Sequence, residues 1–205
     1  MYGVEVNKLS KRFGTRRVLE DVSFSLSVGD SLAVVGKNGS GKTTLLKILA
    51  GLAAPTRGTV TFSNEKQKLD RAEVRQCLSY VGPELTLYDF LTAAENLTFF
   101  AAMRGTSVDT AWVETMLAAL QLGGRGGDFY GAYSSGMKQR LKYAVALLND
   151  PVYLLLDEPT ANLDDEGKKI VAEIIARQKK NGIVIVATNE AGEYGFADKL
   201  IRLGN

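Results

Sequence analysis

Ser31-Leu32-Ala33-Val34-Val35-Gly36-Lys37-Asn38-Gly39-Ser40-Gly41-Lys42-Thr43-Thr44-Leu45-Leu46-Lys47-Ile48-Leu49-Ala50 is the stretch from which the architecture follows. Ser31 to Val35 reads as a short buried strand, and Thr44 to Ala50 has helical spacing that stops near Gly51. Between them, Gly36 to Thr43 fits the pattern G-x-x-x-x-G-K-[ST]. Glycines in that pattern let the backbone fold around a phosphate, with successive N–H groups aimed at its oxygens. Lys42 is expected to reach the β- and γ-phosphates and the Thr43 hydroxyl to bind Mg²⁺. The positive end of the following helix points at the same charge. A glycine-rich turn matching by chance would lack the flanking strand and helix.

A second run, Tyr153-Leu154-Leu155-Leu156-Asp157-Glu158, is an apolar strand ending in two acids. It puts them at the strand's C-terminal edge, where ligands bind in open α/β sheets. Asp157 is expected to hold Mg²⁺ directly or through water. Glu158, one residue on, can face the γ-phosphate and polarise the attacking water as general base. An acid pair after an apolar run is costly to bury without a cation.

With 205 residues, 45% of them hydrophobic and 23% charged, the chain can bury a core of its own. Its net charge of +2, with no block of like charges, points to no nucleic-acid partner. Lys8, Lys11, Arg12, Arg16 and Arg17 cluster near the start, as a solvated face or as a docking or phosphate-near surface. The single cysteine, Cys77, excludes an internal disulfide and fits the reducing cytoplasm. Cys77-Leu78-Ser79-Tyr80-Val81 reads as one buried strand. With no histidine in the chain, a His-activated thiol and a His or Cys metal site are ruled out. The start, Met1-Tyr2-Gly3-Val4-Glu5, does not read as a secretory signal. The longest apolar runs, such as Tyr143 to Leu148, fall far short of the ~20 residues needed to span a bilayer. Asn96-Leu97-Thr98 matches a glycosylation acceptor without consequence in a cytoplasmic chain.

Strand-forming runs at residues 4 to 9, 22 to 27 and 59 to 62 predict a hairpin-rich N-terminal part, and Ser63 to Arg71 reads as polar connector. Beyond Val81 the period changes from two to about 3.6. Thr92-Ala93-Ala94-Glu95 is a capping box that opens a helix through Met103. A second helix is expected over about 108 to 122, broken by the glycine run 123 to 127, and a third from Ser134/Ser135 through about Asn149. Residues 84 to 135 therefore look like a mostly helical insert in an α/β core. Further strands at 152 to 156, 183 to 187 and 199 to 203, with a helix over 165 to 180, predict a largely parallel sheet covered on both faces.

The phosphate loop, Tyr133-Ser134-Ser135-Gly136-Met137 with Lys138-Gln139-Arg140, Asp157-Glu158-Pro159-Thr160 and Ala161-Asn162-Leu163-Asp164 together resemble the ATP-binding cassette family, over Val4 to Leu203. The second motif is similar to that family's signature, usually L-S-G-G-Q. Here it reads Y-S-S-G-M, keeping the serine and the closing glycine. Alone, a Ser-Ser-Gly turn is an ordinary helix cap. The implied fold is α/β: a P-loop NTPase core with a mostly parallel sheet, an N-terminal antiparallel β part and a helical subdomain, in one cassette over residues 1 to 205.

The resemblance also implies a head-to-tail dimer with two ATP molecules sandwiched between cassettes. Each site would join Gly36, Asn38, Gly39, Ser40, Gly41, Lys42, Thr43, Thr44, Asp157 and Glu158 of one chain to Ser134, Ser135 and Gly136 of the other. Asp164 resembles the loop that crosses the dimer seam. Phe13 sits where the family places an aromatic that stacks on adenine. Two family positions are altered. Pro83 stands at the usual glutamine, leaving Glu84 as the nearby side chain able to approach the cation. Asn189 stands at the usual histidine, as a neutral donor toward the γ-phosphate.

The leading expectation is the Mg²⁺-dependent ATPase subunit of a membrane transporter. It would be a homodimer or paired cassette on the inner face of the membrane, moving separate membrane-spanning subunits. The end at Asn205, with no regulatory C-terminal domain expected, and Leu87 to Thr92 look most like bacterial exporter cassettes. Pro83-Glu84-Leu85 and Thr188-Asn189-Glu190 resemble those assigned to haem export in cytochrome c maturation. The competing expectation is an ATP-dependent dimer clamp with little hydrolysis, motivated by Asn189 and the lost glutamine. A soluble role in DNA repair or translation is disfavoured by the lack of a coiled-coil insertion or second cassette.

Overall fold

The Ser31–Val35 strand is buried at every residue, as a strand covered on both faces requires. In the computed structural model, which describes residues 1–189 and 195–204, this strand is β3 of eight. The others are β1 (Gly3–Phe13), β2 (Arg16–Ser27), β4 (Arg57–Ser63), β5 (Leu78–Val81), β6 (Tyr153–Asp157), β7 (Ile183–Thr188) and β8 (Lys199–Arg202). The helices are α1 (Lys42–Leu49), α2 (Arg71–Cys77), α3 (Ala93–Met103), α4 (Thr110–Ala119), α5 (Ser135–Ala146) and α6 (Asp165–Asn181). The chain divides into two units. One comprises Met1–Gly82, Val152–Pro159 and Ile175–Asn205; the other comprises Pro83–Pro151 and Thr160–Ile174.

The first unit carries both sheets. One is parallel, in the order β5-β6-β7-β3-β8, and the other antiparallel, in the order β2-β1-β4. The fold is therefore the expected α/β arrangement. The core joins Leu32, Leu45, Leu49, Leu155 and Ile185 to Val4, Leu26 and Phe62. Tyr153 ties the two sheets together: its hydroxyl donates to Gly3 O (3.0 Å) and Ser63 O (3.1 Å), and Phe62 meets its ring edge-on at 4.8 Å. A buried phenol requires such partners.

Several local expectations are corrected. The first hairpin is longer than its hydrophobic runs, since β1 and β2 continue through charged residues until Phe13 faces Arg16. Register shifts at Val6/Leu9, Leu9/Lys11 and Lys11/Arg12 break the period of two that would have marked them. Arg71–Cys77 forms α2, where Arg71 was expected to end a polar connector and Cys77 to begin a strand. Asp70 accepts from Ala72 N and Glu73 N while Glu73 Oε2 accepts from Asp70 N, a full capping box. Cys77 ends this helix half-buried, and burial pushes its thiol pKa up, which disfavours the reactive thiolate.

In the second unit α3 and α4 pack against α5. The Thr92–Glu95 capping box is formed as read. α4 stops at Ala119, short of the expected Leu122, because Gln121 takes a left-handed φ of 54°. Arg140 of α5 donates to the Leu120 and Gln121 carbonyls at 3.1 and 3.3 Å, satisfying groups that the helix end leaves open. α5 likewise ends at Ala146. Asn96 is fully buried and bonds to Tyr88, Leu91 and Thr92, so the apparent glycosylation acceptor is inaccessible.

Back in the first unit, Asp198 locks the start of β3. Its carboxylate pairs with Lys179 Nζ (2.7 Å) and accepts from Ser31 N and Ser31 Oγ (2.9 and 2.8 Å). The Lys179 bond, then those from Ser31, lower its pKa from 3.8 to about 2. A lowered acid pKa gives stability that is present above 3.8 and lost as pH falls toward about 2. Urea unfolding should therefore show the wild type losing stability more steeply than Asp198→Asn across that window. Equal slopes would mean the pair contributes nothing.

Candidate nucleotide site

The loop between β3 and α1 closes where the sequence places it. Gly41 caps α1 at φ 104°, and a Cβ there would stand 2.8 Å from Val18 O, so only glycine fits. Lys42 is 5% exposed; its Nζ donates to Gly36 O (2.8 Å) and pairs with Glu158 Oε1 (3.2 Å). Phe13, Arg16, Val18, Asn38, Gly39, Gly41, Lys42, Thr43, Thr44 and Glu158 line one cavity of about 560 Å³. That size suits a small-molecule ligand. Gly36 and Ser40 complete the loop, Gly36 through the Lys42 bond and Ser40 through its N–H, which donates to Lys37 O at 3.1 Å.

Asp157 ends β6 and is 5% exposed. Burial pushes its pKa up, opposed by hydrogen bonds from the Thr43 and Tyr80 hydroxyls, the latter at 3.3 Å. Its Oδ1 and the Ser40 Oγ are buried with no hydrogen-bond partner among the described residues. An orphaned carboxylate oxygen beside a threonine hydroxyl fits a hard divalent cation completed by phosphate and water oxygens. Among the described residues there is no cluster of three His, Cys, Asp or Glu that could hold a metal ion.

Glu158 adopts φ 48°, a left-handed conformation that a non-glycine residue holds only against about 1 kcal/mol of strain. Its N–H donates to Ala187 O at 2.8 Å, fixing the turn after β6. The carboxylate is thereby held between Lys42 and the Asn189 N–H, which donates to Oε2 at 3.3 Å. Asn189 follows β7, and its Nδ2 donates to Asn38 Oδ1 at 3.0 Å. Lys42, Asp157, Glu158, Asn38 and Asn189 thus meet at one end of the parallel sheet. Glu190 lies outside the described residues.

The remaining expected site residues belong to the second unit. Ser134 caps α5, its Oγ accepting from Met137 N at 3.2 Å, with Ser135 and Gly136 in the first turn, where N–H groups lack intrahelical acceptors. Asp164 caps α6, its Oδ1 accepting from Gly167 N at 2.8 Å. Glu84 is exposed after Pro83, its carbonyl accepting from Thr86 Oγ1 at 3.1 Å.

Sequence reading missed Val18 and Tyr80, and placed Arg16 only within a basic cluster that was either solvated or a docking or phosphate-near surface. Arg16 lies opposite Phe13 in the hairpin and donates to Gly39 O at 3.5 Å. The Phe13-Gly14 turn was the available signal. Tyr80 reaches Asp157 because β5 pairs with β6, and a Cβ on Gly82 would collide with its hydroxyl. No local pattern encodes that proximity.

The family profile described as ABC transporter matches residues 19–161. The chain is 37% identical, over 185 residues, to the cytochrome c biogenesis ATP-binding export protein CcmA of Rhizobium johnstonii, covering 89% of this chain and 86% of that protein. It is 36% identical to the uncharacterized ABC transporter ATP-binding protein YxlF of Bacillus subtilis, covering 91% of this chain but 62% of that protein. A solved ATP-binding subunit of an ABC transporter superposes with TM-score 0.83 at 30% identity, covering 98% of this chain and 85% of that one. The dimeric post-hydrolysis cassette MJ0796 bound to ADP and Pi shares the fold, with TM-score 0.83 at 24% identity, over 98% of this chain and 94% of that one. No described helix is long and apolar enough to cross a membrane. This chain belongs to the ABC transporter family, as one of its ATP-binding domains.

Proposed function

We propose that this domain hydrolyses Mg·ATP to ADP and phosphate to drive export, working as paired cassettes, in the simplest case a homodimer. The observation that carries the reading is Glu158, held between Lys42 Nζ (3.2 Å) and the Asn189 N–H (3.3 Å) at the wall of the cavity. The residues from Gly36 to Thr44 wrap the phosphates and Phe13 stacks on adenine. Thr43 and Asp157 would hold the cation, and Glu84, beside Pro83 at the usual glutamine position, is the further side chain proposed to approach it. Mg²⁺, when bound, neutralises phosphate charge. Lys42 exchanges Glu158 for phosphate oxygens, which frees the carboxylate to orient a water and take its proton. Asn189 keeps one amide hydrogen for the γ-phosphate while Asn38 holds the other.

Ser134, Ser135 and Gly136 offer the α5 N-terminus to the ATP of a second cassette, and Asp164 lies at the seam. The membrane-spanning partner would meet the helical part of residues 84 to 135. There Tyr88, Phe90 and Met103 are exposed, and buried Asn96 fixes the loop that carries the first two. The domain would sit on the inner face of the membrane through that partner, with no nucleic acid involved. Similarity of 35 to 37% to proteins named for cytochrome c biogenesis export and lantibiotic transport supports export and leaves haem one cargo among several.

Particle mass tests the pairing. In a Glu158→Gln background, Mg·ATP should hold a dimer, and adding Ser135→Arg should return it to monomer by blocking the opposed γ-phosphate. A dimer that survives Ser135→Arg would remove the signature from the interface.

A further inference from the structure

Phe13 projects from the β1–β2 hairpin tip into the nucleotide cavity, 56% exposed. One face of its ring is already occupied. Lys11 Nζ stands 4.7 Å from the ring centroid and donates to Ala54 O at 2.7 Å. Ala54 lies in the loop after α1, and the same loop is fastened to the hairpin twice more. Thr56 N donates to Ser10 O at 2.8 Å, and Arg12 N donates to Thr56 Oγ1 at 3.0 Å. The ammonium is therefore anchored to backbone that is itself braced, with no carboxylate in this set of contacts to draw it away from the ring.

We propose that Lys11 is the positioning residue of a purine platform. Tethered to Ala54, it covers one face of Phe13 and leaves the other for the base of a bound nucleotide. Two physical effects act in the same direction. A cation attracted to the negative face of the ring holds an otherwise exposed side chain in one orientation before ligand arrives, so less freedom is lost on binding. It also draws electron density from the ring, which improves offset stacking with an electron-rich purine. Arg16, on the opposite strand and bonded to Gly39 O, faces the phosphate loop instead. The two cations thus divide the work, Lys11 acting through Phe13 on the base and Arg16 beside the phosphates. This inference rests on the cavity being a nucleotide site.

Calorimetric titration of the wild type, Lys11→Met, Lys11→Arg, Phe13→Ala and the Lys11→Met/Phe13→Ala double variant with ADP and with inorganic tripolyphosphate tests it. Lys11→Met should weaken ADP about 3-fold, the scale of an exposed cation–π contact, and leave tripolyphosphate unchanged. Phe13→Ala should weaken ADP about 10-fold or more, as for a lost base stack. Adding Lys11→Met to Phe13→Ala should then change nothing, because the lysine acts only through the ring. Lys11→Arg should restore wild-type ADP binding. An equal loss for tripolyphosphate, a Lys11→Met effect that persists without Phe13, or unchanged ADP affinity would each overturn the inference while leaving the nucleotide site intact. Failure of the wild type to bind ADP at all would overturn the site and this inference together.

Discussion

A Glu158→Gln variant should release phosphate from saturating Mg·ATP about 10²- to 10⁴-fold more slowly than the wild type, the range lost when a positioned general base is removed. The amide is isosteric and keeps the left-handed turn held by Ala187 O, so the fold around β6 is undisturbed. What disappears is the charge that, in the proposed mechanism, accepts a proton from water. Binding should not fall with it, since Glu158 pairs with Lys42 at 3.2 Å, the side chain proposed to hold phosphate, and the amide would compete for it less. ATP affinity should hold or rise in the variant. A variant that hydrolyses at the wild-type rate would remove Glu158 from the chemistry.

Lys42→Ala should act on the other half of the cycle. Lys42 is the buried cation of the loop, and on the proposed reading its charge-assisted bonds to phosphate oxygens would be worth about 1.5 to 3 kcal/mol each. Losing two of them predicts a fall in ATP affinity of about 10²-fold or more, read by titration calorimetry. Turnover falls because the site is empty. The two variants should therefore separate: Glu158→Gln holds nucleotide without turning it over, whereas Lys42→Ala does not hold it. Equal affinities for ATP in Lys42→Ala and the wild type would mean the cavity binds its ligand elsewhere.

The parts of the fold legible in the sequence were those written in continuous local signals. Leu32 to Val35 and Tyr153 to Leu156 are unbroken apolar runs, and β3 and β6 are the buried strands they describe. The Thr92–Glu95 box announced α3 because both partners lie within one turn. α2 carries no buried residue, so its only signal was Asp70 and Glu73, which are easily taken for part of a polar connector. The hairpin's full length was hidden because bulges interrupt the alternation by which a strand is recognised.

The site divides in the same way. The places of the loop around Lys42 and of the acids at the end of β6 could be read because each is a continuous segment closing a buried strand. The Asn189 bond to Asn38 joins residues 151 apart in sequence, and the Tyr80 bond to Asp157 joins residues 77 apart. Both depend on strand register, β3 beside β7 and β5 beside β6, which no local pattern encodes. Asn189 was identifiable as a departure from the family. Its partner was not.

The decisive measurement follows phosphate release and particle mass together in one sample of the purified wild-type protein with Mg·ATP, beside Glu158→Gln. Hydrolysis through Glu158 gives repeated phosphate release with a mostly monomeric wild type, and a persistent ATP-held dimer without release in the variant. A wild type that itself accumulates as an ATP-held dimer and releases no phosphate would contradict this, and would make the protein an ATP-dependent clamp.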